Sequence, residues 1–442
     1  MERELSRDFR FGSLMRYALP SVFTFVFIAA YQMVDGLFIA AYVGEIAISA
    51  VNLIYPLVSL LVAMGIMLGA GGNAVMVREI GGGRPDQANR AFTQTTAFSV
   101  LLGVGCSAIF LMFIEPVMRG LGATDLSAVY LRPYYWILMA ASPLVILQSA
   151  VGILLIGEGK SGLTAALCVG GGLVNLVLDY VFMRYFGWGI AGAAVATVLG
   201  YLLPVVYGCF FYLKKRSAYR FVKGRPDGRL LWDVCYNGSS EMVSNIAASV
   251  TVLMMNHIIF GFYGENGISA LTVVVFLQFL IQAVYMGFTT AVEAVFSFHF
   301  GSGNIPMRRR VFRLCLIWIA VLSAGIGAVV YLLNDELVGM FFAGGTETFE
   351  IAQQGLLFSL AACAFTGLNI FASGMFTAFS NGTVSASIAF LRTLVFYAAA
   401  LLVLPQLFGV TGLWLALPVA EGLAAVVSIL FIVRHRGRYQ YI

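Results

Sequence analysis

Two aspartates, an asparagine, a threonine and a tyrosine are the residues here whose type and spacing could carry chemistry. Asp179 lies in "LCVGGGLVNLVLDYVFM", where almost every neighbour is apolar, and Asn175 precedes it by four residues. Tyr31 precedes Asp35 by four in "AYQMVDGLF", and Thr197 stands in "GIAGAAVATVLG". Residues four apart share a helix face. An aspartate at the centre of a membrane helix costs roughly 2.5–3.5 kcal/mol on insertion scales. Two carboxylates in a low-dielectric pocket cannot both be charged and bare. Either a proton is taken up and the two sites titrate together, or a cation such as Na⁺ is held by oxygen ligands. Asn175 and Thr197 supply neutral oxygens to either arrangement, so the expected chemistry is the loading and unloading of a cation. One such acid alone is equally a buried hydrogen-bond partner; two acids with Asn and Thr at matched depth point to the cation.

That argument requires a membrane. The chain has 442 residues, 60% hydrophobic and 11% charged, with a mean hydropathy of +0.92. A soluble domain carries about 25% charged residues. Charge-poor runs of about 20 residues or more, each able to cross a hydrocarbon core of about 30 Å, recur along the whole length. The continuous apolar runs exclude a β-barrel, whose strands alternate. The polar N-terminus and the long apolar segment after it predict a retained first helix rather than a cleaved signal. The six cysteines stand alone, without CxxC spacing, which argues against a disulfide framework or a zinc site.

Apolar runs place twelve helices, α1 to α12, at about 17–40, 50–72, 91–114, 132–155, 163–184, 190–213, 238–261, 268–298, 311–333, 352–377, 384–404 and 412–433. With both termini cytoplasmic, the inner segments hold 22 of the 26 Lys and Arg, whereas the outer loop "NDELVGMFFAGGTETFE" has four acids and no base. That asymmetry fixes the orientation and localises the chain to the cell (inner) membrane as a multi-pass protein. It also reads each basic cluster as topology rather than as nucleic-acid binding.

The basic linker "KKRSAYRFVKGRPDGRLLWD" falls at the midpoint, and an offset of 220 relates the two halves. "ISA" at 48–50 recurs at 268–270, "GGG" at 81–83 becomes "GSG" at 301–303, Gly189 and Gly192 map to Gly409 and Gly412, and Glu45 maps to Glu265. The expected fold is therefore an all-α polytopic membrane protein of twelve transmembrane helices. They form two six-helix lobes, 1–213 and 238–442, joined by a cytoplasmic linker at 214–237. Six is even, so the lobes are related by a pseudo-two-fold axis along the membrane normal, the architecture of alternating access. The same offset carries Asp35 to Met255, Asn175 to Val395, Asp179 to Ala399 and Thr197 to Leu417. Gly159 and Gly382 suggest a local three-residue shift, which still leaves apolar counterparts. The polar set belongs to the first lobe alone, and a task explains it better than the architecture. At a rise of about 1.5 Å per residue, Asp35, Asp179 and Thr197 all lie roughly 8–11 Å below the outer surface.

The stretches "LPSVFTFVFIAAYQMVDGLFIAAYVGEIAISAV", "VREIGGGRPDQANRAF", "GEGKSG", "NLVLDYVFMRYFGWGIAGAAVAT" and "LRTLVF" resemble the multidrug and toxic compound extrusion (MATE) family over essentially the full chain. The polar set is similar to that of the DinF-like branch, whose N-lobe cation site uses a helix-1 Asp, a helix-5 Asn and Asp, and a helix-6 Thr. On this sequence these are Asp35, Asn175, Asp179 and Thr197, with Tyr31 beside them. The resemblance implies a transporter and not an enzyme, exporting drugs against an inward flow of H⁺ or Na⁺. No cofactor is implied beyond that coupling ion, and no metal beyond Na⁺ at those residues. The acidic C-lobe site of NorM-type members has no evident counterpart, because Met255 and its neighbours are apolar.

Further polar residues invite weaker readings. Gln32, Gln278, Gln282 and Tyr285 could face a substrate cavity, or bond between helices. Arg392 could snorkel, form a structural or gating pair with Glu293 at similar depth, or contact substrate, Glu421 lying somewhat deeper. "GEGKSG" lacks the first glycine of a phosphate loop, because residue 154 is Leu, and no nucleotide domain is present. Neither aspartate carries the G-x-G-D motif of an intramembrane aspartyl protease. The partners expected are small-molecule drugs or toxic organic compounds and the lipid bilayer, with the monomer as the working unit. A lipid-linked saccharide flippase is the alternative, disfavoured by twelve helices and few buried bases.

Overall fold

In hydrocarbon every backbone N–H and C=O must be bonded within its own segment, so the apolar runs of this chain become helices. The computed structural model describes residues 2–42, 45–120, 125–214 and 217–442; the side chains of residues 2–3, 32–52 and 125–127 are outside the described set. In the first lobe α1 is Phe11–Tyr42, α2 Glu45–Gly81 and α3 Pro85–Met112. Helix α4 is broken into Asp125–Ala140 and Ser142–Gly157, bent by 55°. Helix α5 is Ser161–Tyr180 continued by a π-helical turn, Val181–Tyr185, and α6 is Gly189–Leu213. In the second lobe a run of 74 residues, Gly228–Gly301, would be about 111 Å long if straight, far more than one crossing. Gly264, at φ 57° and ψ −137°, divides it into α7 (228–263) and α8 (265–301). Then follow α9 Ile305–Leu332 and α10 Glu347–Ala378. Helix α11 is Gly382–Phe390, a π segment Leu391–Phe396, and Tyr397–Phe408; α12 is Val410–Tyr439. Ten helices among the described residues are long and apolar enough to cross a membrane, and the bent α4 makes an eleventh. Dividing the long run at Gly264 completes the twelve spans of two six-helix lobes.

Several helices extend beyond their apolar stretches. Helix α1 starts at Phe11 rather than 17, and α7 at Gly228 rather than 238, so residues 228–237 of the expected linker are helical. Hydropathy registers only the part inside the hydrocarbon, whereas these basic ends continue the helix into water. Asp227 caps α7, its side chain accepting from the N–H groups of Arg229 and Leu230.

Backbone geometry repeats with the sequence. Gly83 and Gly303 have φ of 71° and 69°, and Gly189 and Gly409 of 54° and 59°. Gly159 (φ 79°) finds its partner in Ser380 (φ 57°), an offset of 221, so the local shift is one residue instead of the three suggested by Gly382. The lobes meet across the same symmetry. A Cβ added to Gly81 would stand 2.2 Å from the Phe298 carbonyl oxygen, and one on Gly301 2.0 Å from that of Arg78. Since 298 is 78 plus 220, this is one contact made twice, and it shuts the lobes together at the basic end of the bundle. Arg78 also donates across the lobes from Nη1 to Ser380 Oγ at 2.7 Å.

Two segments fasten that end. The residues leading into α1 dock on α9 of the other lobe: Phe11 stacks on Trp318 with centroids 4.1 Å apart, Trp318 Nε1 donates to the Phe11 carbonyl at 2.8 Å, and Asp8 pairs with Arg310. Leu5 and Phe9 are fully buried beneath them. The linker leading into α7 docks likewise on α3 of the first lobe. The Arg220, Val222 and Asp227 N–H groups donate to Asn89 Oδ1, Thr93 Oγ1 and Gln94 Oε1 at 2.8–3.0 Å. Glu158, buried at the foot of α4, accepts from Ser217 Oγ at 2.9 Å and from the Ala218 N–H.

Candidate functional site

Small residues draw α5 against α6. A Cβ on Gly200 would lie 2.9 Å from Asn175 Cβ and 2.9 Å from the Gly171 carbonyl oxygen, so a larger residue there would force the helices apart. The close approach lets Asn175 Nδ2 donate to Thr197 Oγ1 at 3.4 Å, while Thr197 Oγ1 donates back to the Ala193 carbonyl at 3.0 Å. Helix α1 packs on the other side of α5, with Phe27 and Tyr31 against Gly172. The rings of Phe23, Phe27 and Tyr31 stack in sequence along α1, and the Tyr31 hydroxyl donates to Asn175 Oδ1. One amide thus ties three helices, its oxygen to α1 and its nitrogen to α6.

Asp179 lies one turn further along the same face of α5, fully buried, and Asn175 is only 1% exposed. The π turn Val181–Tyr185 begins two residues after Asp179. Such turns displace the register of a helix and occur frequently at functional sites. Of the five residues expected at a cation site, the structure brings Tyr31, Asn175 and Thr197 into hydrogen-bonded contact and places Asp179 beside them. Asp35 is in the helical part of α1, one turn beyond Tyr31; its side chain, like that of Gln32, lies outside the described residues.

The second lobe differs from expectation. A small cavity is lined by Thr251, Met255, Gln278, Gln282, Arg392 and Glu421, among others. Gln278 and Gln282 therefore do face a cavity, Gln278 also donating to Ser359 Oγ at 2.8 Å. Tyr285 does not: it is 1% exposed, and its hydroxyl is engaged by Ser323 Oγ at 2.9 Å and the Cys363 carbonyl at 3.1 Å, so it bonds helix to helix. The pairing of Arg392 with Glu293 is also corrected. Arg392 Nε donates to Glu421 Oε1 at 2.8 Å, whereas Glu293 lies against α10 at Gly374. The π segment Leu391–Phe396 rotates Arg392 toward α12, where Glu421 waits, rather than toward α8.

Asn369 Nδ2 donates to Glu421 Oε2 at 2.7 Å and to its carbonyl at 2.9 Å, and Ser428 Oγ donates to Asn369 Oδ1 at 2.8 Å. This lobe has its own buried polar network, on positions the offset of 220 does not connect to Asn175 or Asp179. The sequence carried one signal for it: opposite charges on the consecutive helices α11 and α12, which the turn at Gly409 makes neighbours.

With that geometry in view, comparisons place the chain. The family model described as MatE matches residues 20–181 and 242–401, one stretch in each lobe. The chain is 22% identical to the multidrug export protein MepA of Staphylococcus saprophyticus over 432 residues, covering 97% of this chain and 94% of that protein. It is likewise 22% identical to MepA of Staphylococcus aureus over 441 residues, with the same coverage. Among solved structures, a multidrug resistance MATE family transporter of the MOP superfamily in its outward-facing conformation superposes with a TM-score of 0.91 at 21% identity, covering 97% of this chain and 96% of that one. A MOP superfamily transporter from Pyrococcus furiosus gives 0.92 at 20% identity, covering 99% and 98%. At such identities the superpositions speak for the fold, and the match to both lobes speaks for descent: the chain belongs to the MatE family of membrane transporters.

Proposed function

We propose that this protein is a multidrug exporter, an antiporter that expels amphipathic, often cationic compounds in exchange for an entering H⁺ or Na⁺. The observation that carries the reading is the buried cluster of Tyr31, Asn175, Asp179 and Thr197 across α1, α5 and α6. The offset of 220 puts apolar residues at the matching positions of the second lobe, whose own polar network stands elsewhere, so the repeated packing does not account for the cluster. Its donor atoms are oxygens of a carboxylate, an amide and two hydroxyls, a set that suits Na⁺ or a shared proton. Asp35 follows Tyr31 by one turn on α1, and its carboxyl is the further ligand of this reading. The relatives named multidrug export proteins support drugs as the cargo.

The working cycle follows from linkage. Cation and drug favour different arrangements of the lobes, so loading one promotes release of the other. Because Tyr31 ties α1 to the cluster, the charge state of the site acts on α1, which also contacts α8 of the other lobe at Ser21, Val22 and Gly287. With both termini cytoplasmic in the cell membrane, the basic end shut at Gly81 and Gly301 is the inner end, and the state is outward-facing. The chain works as a monomer, with lobes 1–213 and 238–442 as the moving bodies.

Asp35→Asn and Asp179→Asn should each abolish efflux of an ethidium-like cation from cells while leaving membrane insertion intact. Normal drug resistance in both variants would refute the site, and flipping of lipid-linked sugars without export of ethidium-like dyes would refute the cargo.

A further inference from the structure

The offset of 220 sets Glu79 of the first lobe against His299 of the second, and the two positions are furnished differently. Glu79 pairs with Arg84 at 2.7 Å and with Arg78 at 3.1 Å. His299 is 2% exposed, and neither ring nitrogen meets a side-chain partner among the described residues. It stands at the basic end of α8, past the apolar run that stops at 298. Beside it is Arg308 of α9, also buried, with Nη1 on the Tyr439 carbonyl at 2.8 Å and Nε without a partner. Arg308 takes part in no ion pair among the described residues. What covers the imidazole is the segment leading into α1. Glu4 lies over the turn between α4 and α5, its Oε2 2.7 Å from where a Cβ on Gly159 would stand. Leu5, fully buried, lays its backbone against His299, and Asp8 and Phe11 run on to Arg310 and Trp318 of α9. Residues 4–11 therefore strap one lobe to the other across the inner end.

We propose that His299 is a cytoplasmic acid sensor, whose protonation lifts the N-terminal strap and opens the inner end of the bundle. The inference goes beyond the export reading and takes from it only which end is cytoplasmic. A charged imidazole under the strap would be a second buried cation beside Arg308, with no acid to pair either. Burial holds the ring's proton affinity below the ordinary range; the Leu5 backbone opposes this, and the Arg308 cation adds to it. The other charged groups on the surrounding elements are engaged elsewhere or exposed. Glu4 pairs with Arg7, Asp8 with Arg310, and Glu79 with Arg78 and Arg84; Arg438 lies over the Tyr439 ring, and Arg309 faces solvent. On α12, His435 stacks on Tyr439, with Nδ1 at the Phe431 carbonyl. Once the strap lifts, the ring meets water and returns to an ordinary imidazole value of about 6.5. The strapped state is thus favoured above pH 6.5 and loses that advantage as pH falls below it. For a ring that takes its proton in the open state alone, the ratio of open to strapped molecules rises about tenfold between pH 7.5 and 5.5. That window lies above the ordinary carboxylate range of about 4.

Spin labels read the strap directly. Arg7→Cys on the strap and Arg309→Cys on α9 are both exposed positions, and the six native cysteines are replaced. Pulsed dipolar distance measurements on the full chain in lipid nanodiscs then give the populations with the strap docked and lifted, without requiring transport. The ratio of lifted to docked should rise about tenfold from pH 7.5 to 5.5 with His299 present. In His299→Gln, which keeps a polar side chain but cannot take up a proton, the ratio should be the same at both pH values; His299→Asn serves the same purpose with a shorter side chain. A response that survives in these variants belongs to another group, such as Glu158 or His435, and overturns the proposal. So does a ratio independent of pH with His299 in place, a comparison that needs neither variant to fold. Either result leaves the export reading standing, because that reading is decided by the aspartate variants and not by the strap.

Discussion

At the scale of single residues, the first-lobe cluster is organised by an amide. Asn175 presents an oxygen to one neighbouring helix and a nitrogen to another, so replacing either partner changes how the remaining atoms are held. Tyr31→Phe isolates one of these links, because the ring remains stacked on Phe27, 6.3 Å between centroids, while the hydroxyl is lost. The expected cost is about 1 kcal/mol of stability, the net worth of a hydrogen bond, with transport weakened rather than abolished. Thermal unfolding in detergent alongside dye efflux measures both. Full loss of transport from this change would move Tyr31 from a tether of α1 to a ligand of the ion. Glu421 and Asn369 show the same economy in the other lobe, where both carboxylate oxygens and both polar atoms of the amide have named partners.

At the scale of elements, the segments at the basic end show what sequence could and could not tell. The twelve apolar runs and the offset of 220 were legible, since hydropathy and glycine spacing follow from crossing a membrane and turning back. The docking of the linker was not, because hydrogen bonds from Asn89, Thr93 and Gln94 to linker backbone leave no periodic trace. The partner of Arg392 was misjudged for a related reason: depth counted along a regular helix takes no account of a π segment, which rotates the residue toward α12. For Tyr285 both readings stood open, because a polar atom on an apolar helix reads the same whether it faces a cavity or another helix; its hydroxyl bonds to Ser323 and Cys363. Gln278 and Gln282 line a small cavity, and Gln278 also bonds to Ser359 of α10, so the two readings of these glutamines overlap.

Glu158 adds a pH dependence to the linker's hold. Burial pushes its carboxyl above the ordinary range, against the pull of the Ala218 N–H, the Ser217 hydroxyl and the charge of Lys160. An acid whose folded-state value is raised favours folding most fully below its ordinary range and loses that contribution as pH rises through the folded value. Wild-type protein should therefore gain thermal stability relative to Glu158→Gln as pH falls from 8 toward about 4.5. A difference in melting temperature that stays constant across that interval would contradict the assignment.

At the scale of the whole molecule, the two lobes are latched at one end by reciprocal arms, the N-terminal segment on α9 and the linker on α3. Alternating access requires that end to open. Asp8→Cys with Arg310→Cys, in a background whose six native cysteines are replaced, allows a reducible bifunctional thiol reagent to fasten the first arm. Drug transport should fall to background on cross-linking and return on reduction; unimpaired transport by the cross-linked protein would mean that this arm does not move.

The central claim is that the buried acids of the first lobe carry the ion whose entry drives export. Reconstituted protein in liposomes, with a proton gradient and a sodium gradient imposed separately, measures it directly. One of the two gradients should drive dye movement in the wild type, and the same gradient should drive none in Asp179→Asn. Equal gradient-driven transport by wild type and Asp179→Asn would contradict the account.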